Sequence, residues 1–176
     1  MDKVVFFDRD GVINVEKNYL HKIEDFEFID KYFTSFIYLK KLGYKFVIIT
    51  NQSGIDRGKY TVEDFNLLTD WMLKQFQQHG IKIESVNYCP HHPAFSGDCE
   101  CRKPKIGMIK QVEAILNIDY QNSWLVGDKD SDIEAAYNAN ITNTIQVKSG
   151  HSFNEKTSKA KFIIDSIKDI PNIIKE

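Results

Sequence analysis

Two carboxylates stand two residues apart at the end of an apolar run, Phe6-Phe7-Asp8-Arg9-Asp10-Gly11. Burying a carboxylate costs several kcal/mol unless it is paired or ligates a metal. If the run is a strand that continues this far, alternation points Asp8 and Asp10 the same way. Arg9, between them, then points away into a salt bridge. Like charges that close must share a proton or a cation. A second acidic group, Gly127-Asp128-Lys129-Asp130-Ser131-Asp132, follows another short apolar run. Carboxylates converging from separate strand ends suit Mg²⁺, which takes hard oxygen ligands. The plainer reading of the second group is acids capping the next helix. Asp130 is the residue that fits a pure cap best.

Two further segments carry donors for an anion. Thr50-Asn51-Gln52-Ser53-Gly54 offers a hydroxyl, amides and a glycine turn that can surround a phosphate oxygen, although the same residues also make ordinary turns. Arg102 and Lys103 suit phosphate as a bidentate fork and a point charge. Between these segments lies CPHHPAFSGDCECRKP, positions 89–104. Cys89, His91, Cys99 and Cys101 supply the four donors of a closed tetrahedral Zn²⁺ site. His92 competes for the fourth place, and spacing favours His91. A site with four protein ligands leaves no position for a reactive water, so this zinc reads as structural and orders the loop that carries Arg102 and Lys103.

The elements that must position these groups alternate. Strands are expected at Val4–Phe7, Lys45–Thr50, Ile83–Tyr88, Ser123–Val126, Thr144–Val147 and Phe162–Ile164. Helical periodicity runs over Phe33–Leu42, over the segment opened by Thr61-Val62-Glu63-Asp64 and closed near Gly80, over Ile106–Leu116 and over Asp130–Ala139. Thr61 and Asp64 have the form of a capping box. A terminal helix is expected from about Ser166, with Pro171 in its first turn, where its missing N–H is harmless. Near-continuous apolar strands alternating with helices predict an α/β fold, a Rossmann-like parallel sheet covered on both faces. Ligands of such sheets bind beyond the carboxyl ends of the strands. That rule selects the four segments 8–14, 50–54, 89–103 and 127–132. The polar stretch Lys148–Lys161 reads as a loop.

Composition narrows the function. With 176 residues the chain is expected to form one domain, residues 1–176. A formal net charge of −2 gives no general attraction to nucleic acid or membrane. No apolar stretch approaches the roughly 20 residues that span a bilayer. No signal-peptide pattern opens the sequence, so a cytoplasmic location is expected. Three cysteines grouped between positions 89 and 101 read as metal ligands, not disulfides.

The ordered set DRDG (8–11), TNQSG (50–54), Lys103 and GDxxxD (127–132) resembles the four motifs of the haloacid dehalogenase superfamily phosphatases. The resemblance implies a Mg²⁺-dependent phosphomonoester hydrolase. In it Asp8 is the nucleophile that becomes an aspartyl phosphate, and Asp10 is the general acid and then base. Thr50 and Lys103 stabilise the transferring group. Asp8, the backbone carbonyl of Asp10, and Asp128 hold Mg²⁺, with Asp132 supporting them. Asp10 is then expected to have a raised pKa, supplied by burial near the leaving group.

Two zinc-loop subgroups fit, the D-glycero-D-manno-heptose 1,7-bisphosphate phosphatases and the histidinol-phosphate phosphatases. INVEKNYLHKIEDFEFID and TNQSGIDRGKYT resemble the heptose group, whereas the short stretch between His91 and Cys99 is nearer the histidinol group. By the heptose resemblance Glu16, Lys17, Asn18 and Tyr19 line the sugar site, with Asn51, Gln52 and Ser53 beside Thr50, and Arg102 and Lys129 contact substrate. The product is then heptose 1-phosphate, a precursor in lipopolysaccharide synthesis. No large insertion follows the first two strands, so no separate cap domain is expected, and the chain is expected to act as a monomer on a small phosphorylated sugar. Two other classes explain less. A receiver-type phosphorelay domain needs neither Asp10 nor a zinc loop, and a zinc-dependent binding module leaves Asp8, Asp10, Thr50 and Asp128 without a purpose.

Overall fold

The computed structural model describes residues 1–175. Six parallel strands form one sheet in the order β3-β2-β1-β4-β5-β6. They are β1 (Val4–Phe7), β2 (Lys45–Asn51), β3 (Ile83–Cys89), β4 (Trp124–Gly127), β5 (Asn143–Val147) and β6 (Phe162–Ile164). The helices are α1 (Tyr32–Lys41), α2 (Val62–Gln78), α3 (Pro93–Ser96), α4 (Gly107–Val112) and α5 (Asp130–Asn138).

The alternation of strand side chains builds a core on each face. Val5, Phe7, Phe46 and Ile48 face α1 and α2, meeting Phe36, Leu39, Met72 and Phe76. Phe7 and Phe36 pack with ring centroids 4.5 Å apart. Val4, Phe6, Val47 and Ile49 face the other way, against Met108, Ile109 and Val112 of α4 and Ala136 of α5. A fully buried phenylalanine contributes about 1.5–3 kcal/mol relative to exposure, so both faces hold the strand ends firmly in place.

The strand order puts the chemistry at one point. From β1 the chain builds outward through β2 and β3, then returns to add β4 on the other side. The crevice where the order reverses lies at the carboxyl ends of β1 and β4. Phe7 pairs with Val126, and Asp8 N donates to Val126 O at 2.9 Å. Asp8 and Asp128 therefore leave the sheet side by side. The connection from β1 to α1 holds a 3₁₀ turn, Ile23–Asp25, and isolated bridges of Asn14 to Asp10 and to Phe28. The connection from β2 to α2 is residues 52–61, and its far end is fixed by the expected capping box. Asp64 N donates to Thr61 Oγ1 at 3.1 Å, and Thr61 N to Asp64 Oδ2 at 2.9 Å.

Three expectations change. The segment after Ser166 is a 3₁₀ helix, Ile167–Asn172, with Pro171 near its end and not in its first turn. Its bonds run from i to i+3, as Ser166 O to Asp169 N and Ile170 O to Ile173 N, and the sequence tolerates Pro171 because that residue has no N–H to place. Helix α4 is shorter than the periodic segment that contains it, ending in tight turns around Ala114 and Ile115. β1 ends at Phe7, so two-residue alternation does not extend to Asp10. Arg9 consequently does not point away from the acids. It is 1 % exposed and turns back onto Asp10.

Candidate active site

Lys103 is the hub of the crevice. Its ammonium has three protons and three acceptors: Asp8 Oδ1 at 2.8 Å, Asp132 Oδ1 at 2.7 Å and Ile49 O at 2.9 Å. Burial works against that charge, but Asp132 and Asp8 more than offset it, so Lys103 holds its proton more tightly than a free lysine. Burial drives the Asp8 carboxyl well above the ordinary carboxylate range, Lys103 opposes this, and Asp132 and Asp128 add to it.

The chain reaches this hub through specific local structure. Asp132, in the first turn of α5, accepts from Asp128 N at 3.1 Å and Lys129 N at 3.0 Å through Oδ2. Its other oxygen is left for Lys103. Gly127 permits this, because a Cβ there would stand 2.2 Å from the Asp132 Cβ. Asp132 is thus both cap and ion-pair partner. Asp130 accepts from Gln146 Nε2 at 3.0 Å instead, which removes it from the role of pure cap.

Asp10 is held by three side chains. Arg9 Nη2 donates at 2.9 Å to Oδ1 and 3.0 Å to Oδ2, Arg9 Nε at 3.3 Å, Asn14 Nδ2 at 3.0 Å and Gln52 Nε2 at 2.9 Å. Burial raises the Asp10 pKa, but Arg9 and the hydrogen bonds from Asn14 and Gln52 outweigh it and hold Asp10 below the usual carboxylate range. The expectation of a raised pKa fails for the same reason that Arg9 does not point outward: the guanidinium sits on the carboxylate.

Three buried carboxylates, Asp8, Asp128 and Asp132, present oxygens that all lie within 4.8 Å of one another. One ammonium does not balance them. Asp128 is 0 % exposed and its Oδ1 has no hydrogen-bond partner. A hard divalent cation fits this set, since it supplies both the missing charge and the missing partner. Cys89, Cys99 and Cys101 form the second such group. Their sulfurs are 2.7 Å (89 to 101) and 3.6 Å (89 to 99, 99 to 101) apart, and no disulfide joins them. Burial raises the Cys89 thiol pKa, so neutralisation by a bound cation is what makes it a thiolate ligand. His91 lies outside the three-sulfur group, with Nδ1 3.2 Å from Ser96 Oγ. His92 is engaged elsewhere: Arg57 Nη2 donates to its Nε2 at 2.8 Å, and its Nδ1 lies 3.2 Å from Ala94 N at the start of α3.

An open cavity of about 170 Å³ lies above Asp8 and Asp10. That is room for a phosphoryl group and part of a small sugar. Glu16, Lys17, Asn18 and Tyr19 form one wall. Asn51, Gln52, Ser53 and Lys103 form another, and Lys129 a third. Thr50 sits behind this surface, accepting from Gln52 Nε2 at 2.8 Å. Arg102 is not on the wall; its Nη1 donates to His91 O at 3.3 Å within the cysteine loop.

Residues that pattern reading missed also line the cavity. Tyr60 donates to Gln52 Oε1, and burial pushes its hydroxyl up to about 12. It lies inside the run TNQSGIDRGKYT, which was the available signal. His151 reaches the cavity from the loop after β5, and a lone histidine in a polar loop gave no signal.

The comparisons with known proteins agree with this geometry. Residues 100–170 match the HAD-hydrolase-like family. A D-glycero-beta-D-manno-heptose-1,7-bisphosphate 7-phosphatase of Pasteurella multocida is 43% identical over 99% of this chain and 98% of its own. The D-glycero-alpha-D-manno-heptose-1,7-bisphosphate 7-phosphatase of Photorhabdus laumondii is 48% identical, over 90% of this chain and 89% of its own. The fold is similar to the crystal structure of a D,D-heptose 1,7-bisphosphate phosphatase from B. bronchiseptica complexed with magnesium and phosphate. That match has a TM-score of 0.83 and 24% identity, covering 96% of this chain and 95% of that one. With a relative of such identity along almost its whole length, the chain belongs to the haloacid dehalogenase-like phosphatases, in the family of the heptose 1,7-bisphosphate 7-phosphatases.

Proposed function

We propose that the chain, acting as one domain and one monomer, removes the 7-phosphate of D-glycero-D-manno-heptose 1,7-bisphosphate to leave heptose 1-phosphate. The observation that carries this is the Asp8 carboxylate 2.8 Å from the Lys103 ammonium, at the floor of an open cavity beside the unpartnered oxygen of Asp128. The relatives' names supply the substrate.

Asp8 attacks phosphorus while the bond from phosphorus to the sugar oxygen breaks. The product of that step is an aspartyl phosphate on Asp8 and a sugar alkoxide. Asp10 gives the alkoxide its proton, then takes one from the water that attacks the aspartyl phosphate, and inorganic phosphate leaves. Arg9, Asn14 and Gln52 favour the charged form of Asp10. A phosphate dianion beside it reverses that preference, because a like charge raises a carboxyl pKa. The proton is therefore acquired with the substrate. Lys103 stabilises the equatorial oxygens of the transferring group. The family resemblance assigns Thr50 to the same group; its Oγ1 accepts from Gln52 behind the cavity wall, which leaves its hydroxyl proton to donate. Mg²⁺, held when bound by Asp8, the Asp10 carbonyl and Asp128, supplies positive charge against the repulsion between nucleophile and phosphate. Cys89, Cys99 and Cys101 would hold Zn²⁺, with His91 as fourth ligand once its ring leaves Ser96, and the bound ion would fix the segment that carries Lys103. Thiols that must stay reduced suit a cytoplasmic setting.

The test is phosphate release from both anomers of the heptose bisphosphate and from histidinol phosphate, at equal concentration. One heptose anomer is expected to give the highest kcat/KM, and Asp8→Asn to give no turnover above background. A preference for histidinol phosphate reassigns the substrate. Turnover by Asp8→Asn within tenfold of the parent removes the nucleophile.

A further inference from the structure

The two oxygens of Asp128 are treated differently. His151 contributes two donors to Oδ2, its backbone N at 2.7 Å and its ring Nδ1 at 2.7 Å. A carboxylate only accepts, so Nδ1 carries the proton of that contact. Oδ1 has no partner. The donors come from Ser149-Gly150-His151, the segment that follows β5. Ser149 Oγ donates to Gly11 O at 2.8 Å, which ties this strap to the loop after the nucleophile. Gly150 is pressed against the acid, since a Cβ there would meet Asp128 Oδ2 at 2.2 Å. A Cβ on Gly11 would meet Asp128 Oδ2 at 2.6 Å and the Gly150 Cα at 2.7 Å. The loop, the strap and Asp128 meet this closely because both contact points are glycines.

We propose that His151 is a positioning residue for the cation site: its paired donors lock the Asp128 carboxylate so that Oδ1 alone faces the space shared with Asp8. This rests on the reading of Asp128 as a cation ligand. A carboxylate with one oxygen already anchored loses less freedom when the other ligates, and groups that orient ligands from behind typically change metal affinity by about 10–100-fold. Here the backbone N–H of residue 151 survives any substitution, so the lower end of that range applies.

The test is Mn²⁺ binding to the full chain, read from the electron paramagnetic resonance signal of free Mn²⁺, with competition by Mg²⁺. Mn²⁺ prefers oxygen ligands and does not report the thiol group. His151→Ala is expected to weaken binding about tenfold, and to raise the half-saturating Mg²⁺ concentration for turnover by the same factor. His151→Asn, whose side-chain amide can donate to Oδ2, is expected to recover most of the affinity. His151→Phe retains the bulk of the ring without its donor, and is expected to behave like His151→Ala; it carries the comparison if the alanine variant does not fold. Asp128→Ala is expected to abolish tight binding. Parent-like affinity in His151→Ala or His151→Phe, with binding lost in Asp128→Ala, overturns the proposal and leaves the reading of the site intact. Parent-like affinity in Asp128→Ala overturns that reading itself.

Discussion

One amide, that of Asn51, grips both backbone polar groups of Lys103. Lys103 N donates to Asn51 Oδ1 at 3.1 Å, and Asn51 Nδ2 donates to Lys103 O at 3.3 Å. The end of β2 is thereby fastened to the residue whose ammonium reaches Asp8. Asn51 lines the cavity, and the family resemblance places it among the substrate contacts, but one N–H and one oxygen lone pair of its amide are already given to Lys103. Its expected role is therefore to place Lys103. Two neutral hydrogen bonds of about 0.5–1.5 kcal/mol each put the loss in Asn51→Ala at about ten- to a hundredfold. That loss should fall on kcat, because Lys103 acts on the transferring group. Steady-state kinetics separate the alternatives: a raised KM at unchanged kcat would return Asn51 to substrate binding.

Arg9 and Asp10 couple acid stability to catalysis. The folded pKa of Asp10 lies below its unfolded value of 3.8. The stability this adds is present above that value and is lost as the pH falls through the folded one. Arg9→Met removes the partner and leaves a buried carboxylate, which costs about 3–5 kcal/mol when the acid is ionised. Urea unfolding should show that cost at pH 7 and a smaller one at pH 3, where Asp10 in the variant is protonated. The same change raises the Asp10 pKa, so the alkaline fall of kcat/KM for a sugar phosphate should move to higher pH. p-Nitrophenyl phosphate, whose leaving group needs no proton, should show no such movement. A shift common to both substrates would place the titrating group elsewhere.

The sheet was legible because its signal is local. Val4–Phe7 is apolar throughout and buried throughout, and β2 and β4 end within one residue of where the pattern stops. The motif acids were legible because a fold rule puts strand ends together. What remained hidden depends on partners distant in sequence. His151 and Asp128 are 23 positions apart, Asn51 and Lys103 52, and no periodicity marks either pair. Arg9 was misread because alternation was carried past Phe7, where the strand stops and the chain turns toward Gly11 at φ 84°. The pKa of Asp10 followed from that error, since burial without Arg9 raises a carboxyl and burial with it does not.

The cysteine loop gives a metal-dependent prediction. Cys89, at the end of β3, is buried, and Lys103 leaves the loop two residues after Cys101. Metal analysis of the purified chain should find about one tightly held zinc. Cys101→Ser should loosen the loop and displace Lys103, lowering kcat, with added Mg²⁺ failing to restore it. Activity indifferent to strong chelation followed by Mg²⁺ would show that the loop holds its shape without zinc.

The distal phosphate of a bisphosphate needs a cation that the transferring group does not use. Lys103 is excluded because it serves the transferring group, beside Asp8 and Asp132. Arg102 is the other expectation; one of its N–H groups donates to His91 O, and it is not among the residues that line the cavity. Lys129 is on the wall, and its backbone N is fixed by Asp132, so its side chain projects from a defined point. Lys129→Ala should therefore lower kcat/KM for heptose bisphosphate by about ten- to a hundredfold, the effect of losing about 1.5–3 kcal/mol from a charged hydrogen bond. The loss should be much smaller for a heptose monophosphate phosphorylated only at the 7-position. Arg102→Ala should reduce both substrates equally, since it acts through the cysteine loop on Lys103. A selective loss with Arg102→Ala would instead mean that the loop swings Arg102 into the cavity when the bisphosphate binds.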